Sequence, residues 1–216
     1  PSLCSLISPD PACRRMMGLA LRNVRLTLLC DGKELFTEQG EALFTHFGLS
    51  GPLVLSASTY IEDVAKHRYI CELDLKPALD EKTLYDRLTR DFAEQGAHSA
   101  QGALAKLLPN SMRPVAVEKW GVDPATRAAQ ITKEQKLALV QLCKHWQVPV
   151  TALGDKEHAV VTAGGVDVKE VDPKTMASKL CGGLYFAGEV LDVDARTGGY
   201  NLQIAWSTAQ AAVRAL

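Results

Sequence analysis

The segment from residue 184 to residue 202 constrains the fold of this 216-residue chain most, because it prescribes three elements in a fixed order. It reads LYFAGEVLDVDARTGGYNL. The apolar run at its start predicts a buried strand that ends at Gly188-Glu189. An acidic loop follows, and Gly198-Gly199 then predict the beginning of a helix. We therefore expect a strand, a loop and a helix in succession.

This order of elements is what the closing half of a flavin site requires. A carboxylate at the strand end can accept hydrogen bonds from a ribityl chain, and a helix N-terminus offers unpaired N–H groups to the flavin or its phosphates. The alternative is a strand, loop and helix whose glycines only permit a tight turn. The residues expected to contact a flavin are Gly188, Glu189, Asp192, Thr197, Gly198, Gly199, Tyr200, Asn201 and Leu202.

Two other glycine-containing segments are candidates for ligand contacts. The sequence TAGGV places Gly164 and Gly165 after a predicted strand, where they either form a bulge or bring backbone up to the flavin ring. The sequence FTHFGLSGP places turn formers beside Thr45 and His46, which either contact the substrate or the flavin edge, or only mark a helix entry. Because no serine or cysteine lies in a nucleophile motif, the catalytic residues stay unassigned.

The other half of a flavin site is missing from the sequence. The chain has no Gly-x-Gly-x-x-Gly motif, which would bind the FAD pyrophosphate at a helix N-terminus. It begins at Pro1, and its first residues do not resemble a signal peptide. We therefore expect a piece of a longer protein, in which residues 1–14 link to an absent N-terminal FAD-binding unit. That unit would be its partner, and this chain alone would hold no FAD.

Composition and charge argue against other classes of protein. The net charge of −1 gives no reason to expect nucleic acid or an anionic membrane as a partner. Six cysteines without metal-ligand spacing indicate a reduced, cytoplasmic protein. Asp192-x-Asp194 begins like a calcium loop, but Arg196, Thr197 and Gln203 stand where that loop requires a ligand, a glycine and a glutamate. No metal is therefore predicted.

Period-two alternation predicts strands in two regions of the chain. The strongest local signal is Asp31-Gly32, a hairpin turn between two such runs. Near it, Ser50 is predicted to cap a helix that begins at Pro52. The predicted strands cover residues 22–29, 34–38, 40–45, 69–75, 148–153, 159–162 and 168–171.

Helix signals dominate the region between these strands. Asp80 is a predicted N-cap, and Thr132 opens TKEQ, a capping box. The helix after Thr132 is predicted to place Trp146 on its apolar face and to end before Pro149. No excess of basic residues marks this region, so it is not expected to bind nucleic acid.

These patterns together predict a multi-domain α+β protein. The strands of residues 15–79 and 147–172 would pair into one β-barrel or sandwich, with a small helical subdomain, 80–146, inserted into it. Residues 173–216 would be the C-terminal segment, which carries the back half of the flavin site.

Four blocks together resemble a known family. The blocks FTHFGLSGP, VTAGGV, PKTMASKL and LYFAGEVLD through GGYNLQ are similar, in this order, to the BaiN/YhiN-type NAD(P)/FAD-dependent oxidoreductases. The resemblance implies a split, Rossmann-like FAD-binding domain, an inserted β-barrel and a helical subdomain within the barrel. Residues 173–216 would then be the C-terminal segment of the FAD-binding domain. It also implies hydride transfer between NAD(P)H, FAD and an unsaturated, for example steroid-like, small molecule.

Two further interpretations stay open. A stand-alone insert module would bind a substrate or partner without catalysis, but such a module would end near residue 172, whereas this chain continues. The related split-Rossmann flavoproteins that modify tRNA would present a basic face, and the sequence shows none.

Overall fold

One antiparallel sheet organises the fold, and the computed structural model describes residues 1–215. The strands are β1 Leu6–Ile7, β2 Ala20–Cys30, β3 Lys33–Phe44, β4 Gly48–Ser50, β5 Tyr69–Asp74, β6 Trp146–Val150 and β7 Ala152–Leu153. Within residues 1–215 these seven strands lie in the order β6-β5-β2-β3-β4-β1-β7, and every neighbouring pair is antiparallel. Together with the helices they confirm the α+β class.

The hairpin of β2 and β3 is the longest pairing in the sheet, and its turn is the predicted Asp31-Gly32. Both turn residues have positive φ, 50° and 82°, as a two-residue hairpin turn requires. The strand predicted separately at residues 40–45 is wrong, because β3 continues through Gly40 to Phe44. It continues because β2 is long enough to pair with it, from Cys30 opposite Lys33 to Ala20 opposite Leu43.

The helices cover the sheet and fill the region between β5 and β6. Their bounds are α1 Pro11–Arg15, α2 Pro52–Ser58, α3 Glu81–Glu94, α4 Ala100–Ala103, α5 Arg113–Trp120, α6 Lys133–Lys144 and α7 Tyr200–Ala215. Asp80 caps α3 through Thr83 N–H, and the capping box at Thr132 begins α6, so both predictions are confirmed. No helix within residues 1–215 is both long enough and apolar enough to cross a membrane.

Two helix boundaries differ from their predictions. Ser50 is not the cap of α2, because it lies in β4 and Gly51 occupies the N-cap position. Trp146 is not on a helix face, because α6 ends at Lys144 and Trp146 begins β6. Pro149 therefore lies inside a strand. It is tolerated there since β6 stands at one end of the strand order, where a missing N–H costs no ladder bond.

Three strands predicted in the last third of the chain are wrong. Residues 159–162 form one isolated bridge, Ser2 to Val161, and residues 168–170 form a 3-10 turn. The apolar run at 184–187 forms one bridge, Ala177 to Tyr185, before a 3-10 turn at Gly188–Val190. A strand needs a continuous partner ladder, and within residues 1–215 each of these runs meets its partner at a single residue pair.

The predicted barrel and Rossmann-like part are not confirmed. The strand order is open, with β6 and β7 at its two ends. These ends are adjacent in the chain, because only Thr151 separates them, and its N–H donates to Ile7 O at 2.9 Å. The predicted domain boundaries at residues 14, 79, 146 and 172 stay a prediction.

One hydrophobic core joins the sheet to the helical region, and it includes Leu26 of β2, Leu88 of α3 and Trp146 of β6. A second, small cluster consists of Val171, Met176, Leu191 and Ala212. The C-terminal segment is thus held by few buried side chains of its own, and polar contacts decide its position.

Candidate functional site

A cleft of about 440 Å³ lies between the N-terminal residues, α2 and the C-terminal segment. Its volume falls in the range of roughly 300–1,000 Å³ that is usual for small-molecule sites. Leu3, Leu55, Val160 and Val161 supply apolar walls. The predicted flavin contacts that line it are Gly188, Glu189, Thr197, Gly198, Gly199, Asn201 and Leu202.

The double glycine begins α7 at the edge of this cleft, as the sequence predicts. Gly198 and Gly199 have φ of 122° and 86°, conformations that L side chains rarely adopt. Asn201 holds the preceding loop, because its side-chain amide donates to Ala195 O and accepts from Ala195 N–H, both at 2.8 Å. The beginning of α7 thus lies against the cleft, and a helix N-terminus carries unpaired N–H groups and a partial positive charge.

The carboxylates of Glu189 and Asp192 bring the TAGGV segment beside the C-terminal one. Glu189 Oε1 accepts from the Thr162 backbone N–H at 2.7 Å, and Asp192 Oδ1 accepts from Gly164 N–H at 3.1 Å. Val166 and Leu191 form a parallel bridge between the same two segments. The cleft lining does not include Gly164, Gly165 or Asp192. These residues hold the TAGGV segment against the C-terminal segment, which does line the cleft.

Gly165 is where the two segments approach most closely. A Cβ on Gly165 would lie 2.4 Å from Val190 O and 3.1 Å from Asp192 N, and its φ is 144°. On Gly164, whose φ is 87°, a Cβ would meet no atom within 4 Å. The first position requires glycine for space and conformation, and the second for conformation alone.

Tyr200, Thr45 and His46 lie outside the cleft. Tyr200 is 61% exposed. Thr45 Oγ1 accepts from Gly48 N–H at 3.1 Å and so stabilises the turn before β4. His46 lines a second cleft of about 440 Å³, together with His158, Asp155 and Cys4. Leu3, Val160 and Val161 line the first cleft, whereas Cys4, Ser5 and His158 line the second, so neighbouring residues of the same two segments contribute to both clefts.

Arg196, for which no role was predicted from the sequence, attaches the acidic loop to the sheet. Its guanidinium binds the Glu38 carboxylate and donates to Tyr60 OH at 2.5 Å. It also stacks over the Phe36 and Tyr60 rings, with centroid distances of 5.6 and 5.7 Å. The hydrogen bond to the Tyr60 hydroxyl raises the pKa of Arg196 most, and the negative charge of Glu38 raises it further. These partners are more than a hundred residues away in sequence, so only the folded chain brings them together.

Two hydroxyl contacts reinforce this attachment. Ser56 Oγ of α2 and Thr197 Oγ1 lie 3.0 Å apart, and Ser2 Oγ donates to the Asp194 carboxylate. Asp194, Arg196 and Thr197 are thus each tied to a different element. We expect this arrangement to set the position of Gly198-Gly199 at the mouth of the cleft.

Replacing Arg196 with alanine is expected to loosen the loop without unfolding the chain. The Ala195 amide, which donates to Asn201 Oδ1, should exchange about threefold to tenfold faster with solvent, because local opening becomes easier. Hydrogen exchange measured by mass spectrometry checks this. Arg15→Ala, which removes another surface ion pair with Glu118, is the control and should leave Ala195 protected. Equal protection in both variants contradicts the attachment.

A group of metal-ligand type lies at the hairpin turn, away from the lining of either cleft. Cys30, Asp31 and His67 place one ligand atom each within 4.8 Å of the others. His67 Nδ1 already lies 2.7 Å from Asp31 Oδ2, and the second carboxylate oxygen accepts from Arg68 N–H. Hydrogen bonds therefore account for this group, and we assign no metal to it.

Comparisons with known proteins cover most of the chain. The family described as HI0933-like protein barrel and H2TH domain matches residues 1–161. A ribosomal RNA dihydrouridine synthase of Haemophilus influenzae is 36% identical over 196 residues, 91% of this chain and 46% of the relative. A protein of the same name from Escherichia coli is 34% identical over 174 residues, 81% of this chain and 42% of the relative.

A third relative carries a different name. A 3-dehydro-bile acid delta(4,6)-reductase of Clostridium scindens is 30% identical over 198 residues, 89% of this chain and 48% of the relative. The chain therefore spans about half the length of the curated relatives that it matches.

Proposed function

The chain belongs to the family of the HI0933-like protein barrel and H2TH domain, and from this membership we propose that it is part of a flavin-dependent reductase of conjugated C=C bonds. The names of the relatives support this reaction class. A dihydrouridine differs from uridine by two hydrogens across one ring C=C bond, and a delta(4,6)-reductase is named for the C=C bonds that it saturates. Both reactions add a hydride and a proton to an unsaturated ring.

The cleft beside Gly198-Gly199 offers both space for a flavin and a carboxylate that can accept hydrogen bonds from it. Open space at Gly199, where a Cβ would meet no atom within 4 Å, leaves room for a ligand directly before α7. Thr162 occupies one oxygen of Glu189, so we propose that the other accepts from ribityl hydroxyls. A bound flavin supplies the hydride, with NAD(P)H as the source of electrons. The chain's own residues bind and orient it.

The exposed face of α7 supports a partner that covers it. Of the described side chains in α7, Ala212 is the buried one, whereas Leu202, Trp206 and Val213 are 61%, 69% and 67% exposed. We propose that an N-terminal FAD-binding unit packs on this face. That unit would also provide the pyrophosphate loop that the sequence lacks.

The second cleft supports a substrate site. His46 and His158 line it, and its residues Cys4 and His158 lie in the same two segments as residues that line the first cleft. We propose that the reacting ring enters from this side, with Thr45 holding the turn that carries His46. No proton donor is assigned.

Uridine in ribosomal RNA is the substrate that the comparisons favour, because two relatives at 36% and 34% identity carry that name. Nucleic acid was not expected as a partner from the sequence, because the net charge of the chain is −1 and the helical region has no excess of basic residues. The proposed substrate departs from that expectation. An unsaturated steroid-like molecule is the second candidate, favoured by the bile acid reductase at 30% identity. A stand-alone binding module is disfavoured, since the C-terminal segment lines the first cleft.

The experiment follows reduction of both substrates by the whole protein with NAD(P)H. We expect uridine in a ribosomal RNA transcript to gain two hydrogens, detected by mass spectrometry of the nucleosides. Saturation of a dehydro-steroid without any dihydrouridine would favour the second candidate, and reduction of neither substrate would contradict the proposal.

The role of Glu189 has its own test. Glu189→Ala should lower the flavin-to-protein ratio of the purified whole protein about threefold to tenfold, because charge-assisted hydrogen bonds are lost. Glu170→Ala, which removes an exposed carboxylate outside the cleft, and His46→Ala should keep the flavin. If Glu189→Ala also keeps it while folded, the assignment of this carboxylate to the cofactor is wrong.

A further inference from the structure

A basic groove lies where the start of β2 meets the helical region, and no step above uses it. Two adjoining clefts of about 300 and 220 Å³ share Asn23, Leu75 and Lys76 and so form one groove. Its floor and walls come from the first residues of β2, the turn after β5, and the segment before α5. The other lining residues that bear on its chemistry are Arg22, Pro77, Leu79, Arg87 and Pro109.

The charges along this groove have one sign. Among its described lining residues Arg22, Lys76 and Arg87 are basic, and none is acidic. Arg113 adds a fourth basic side chain beside the groove, because its Nε donates to the O of Leu108, a lining residue, at 3.0 Å. The formal net charge of the whole chain is −1, and this value conceals the local excess of basic side chains.

The Lys76 side chain is half-buried, and the carboxylate of Asp74, two residues before it, already accepts hydrogen bonds from other donors. Asp74 Oδ2 binds Lys144 Nζ at 2.6 Å, and Asp74 Oδ1 accepts from the Lys76 backbone N–H at 2.9 Å. Within residues 1–215 the Lys76 ammonium makes no ion pair. Burial lowers its pKa, and neighbouring Arg87 lowers it further. A desolvated ammonium beside a second cation is stabilised when an anion binds between them.

Arg87 keeps donors for such an anion. One of its terminal N–H groups donates to Lys106 O at 2.8 Å, and its Nε lies 3.5 Å from Asp91 Oδ2. A guanidinium has five N–H donors in a planar fork, so further donors stay free for a phosphate.

We propose that this groove binds the phosphodiester backbone of the RNA substrate, with Lys76 and Arg87 contacting phosphates and Arg22 and Arg113 extending the track. The inference rests on the proposed function, in which ribosomal RNA carries the reacting uridine. The apolar walls at Pro77, Leu79 and Pro109 suit the sugar faces that lie between phosphates. Such contacts hold RNA in register without reading its sequence, so that the modification of one uridine is decided at the clefts.

The test measures RNA affinity of the 216-residue chain against salt concentration, with a fluorescein-labelled stem-loop of ribosomal RNA as the probe. Lys76→Gln and Arg87→Gln should each weaken binding about threefold to tenfold at low salt and reduce the slope of log affinity against log salt by about 1. Lys82→Gln is the matched control, because Lys82 is an exposed lysine on the same helix as Arg87 and lies outside the groove. Circular dichroism melting confirms that each variant is folded.

The source of the phosphate is separated by competition. NADPH and inorganic pyrophosphate carry the same phosphate chemistry as the RNA backbone. At constant ionic strength we expect a modest excess of either to leave RNA binding intact, because RNA contacts several basic side chains at once. Displacement by NADPH, unchanged affinity in both variants, or an equal loss in Lys82→Gln would each overturn the inference. Unchanged affinity in the groove variants would place RNA elsewhere and leave the proposed reaction standing, whereas that reaction fails only when the whole protein makes no dihydrouridine.

Discussion

Replacing Gly165 with alanine is expected to remove most of the bound flavin from the whole protein. The new Cβ would lie 2.4 Å from Val190 O, so the bridge that joins Val166 to Leu191 must open. A residue held at this φ of 144° also carries strain of about 1–3 kcal/mol. Since about 1.4 kcal/mol corresponds to tenfold in affinity, the affinity for flavin should fall about fivefold to a hundredfold. The flavin-to-protein ratio after gel filtration measures it.

Gly164→Ala provides the matched control for this prediction. Its φ is 87°, but its Cβ would meet no atom within 4 Å, so only the conformational preference is lost. We expect a smaller loss of flavin than in Gly165→Ala, because both variants carry the strain of a positive φ, about 1–3 kcal/mol, and only Gly165→Ala adds the backbone clash. A folded Gly165→Ala variant with full flavin would show that the bridge does not position the cofactor cleft.

Replacing Asp74 with alanine is expected to cause the largest loss of stability. The Asp74 and Lys144 side chains are 11% and 13% exposed and lie 2.6 Å apart, joining β5 to the end of α6. Lys144 Nζ also donates to Leu79 O at 2.7 Å and to Lys76 O at 3.2 Å. Without Asp74 a buried ammonium loses its counter-charge, which costs about 3–5 kcal/mol. The urea midpoint, followed by circular dichroism, should fall accordingly.

Two further variants distinguish the cost of leaving a buried charge unpaired from the cost of removing any ion pair. Glu94→Ala removes the exposed pair with Lys106, whose side chains are 63% and 50% exposed, and should leave the urea midpoint unchanged. The double variant Asp74→Leu with Lys144→Met should recover most of the lost stability, because no unpaired charge stays buried. If Asp74→Ala unfolds at the wild-type midpoint, the pair does not hold the helical region to the sheet.

Signals that act over a few residues were readable from the sequence. Asp31-Gly32 forms its turn, and Asp80 and Thr132 cap α3 and α6 through N–H groups three residues onward. Gly198-Gly199 begins α7. In each case the stabilising hydrogen bond or the special φ lies inside the segment itself, so no distant partner is needed.

Strand and contact partners were not readable, because they depend on what the rest of the chain places nearby. Trp146 carries helical spacing yet begins β6, since β5 offers it a ladder from Tyr69 to Leu73. The run at 184–187 is apolar enough for a strand but finds one bridge within residues 1–215. Apolar pattern sets a preference, and the available partner decides whether it is realised.

The sequence by itself determined the α+β class, the main turns and caps, and seven of the fifteen residues that line the first cleft. Only the tertiary structure decided that Arg196 binds Glu38 and Tyr60, that Gly165 must admit Val190 O, and that Lys76 and Arg87 share a groove while Asp74 is held by Lys144. The physical reason is range. Caps and turns are stabilised within three or four residues, whereas charge pairing and close backbone approach depend on distances that exist only after the sheet has formed.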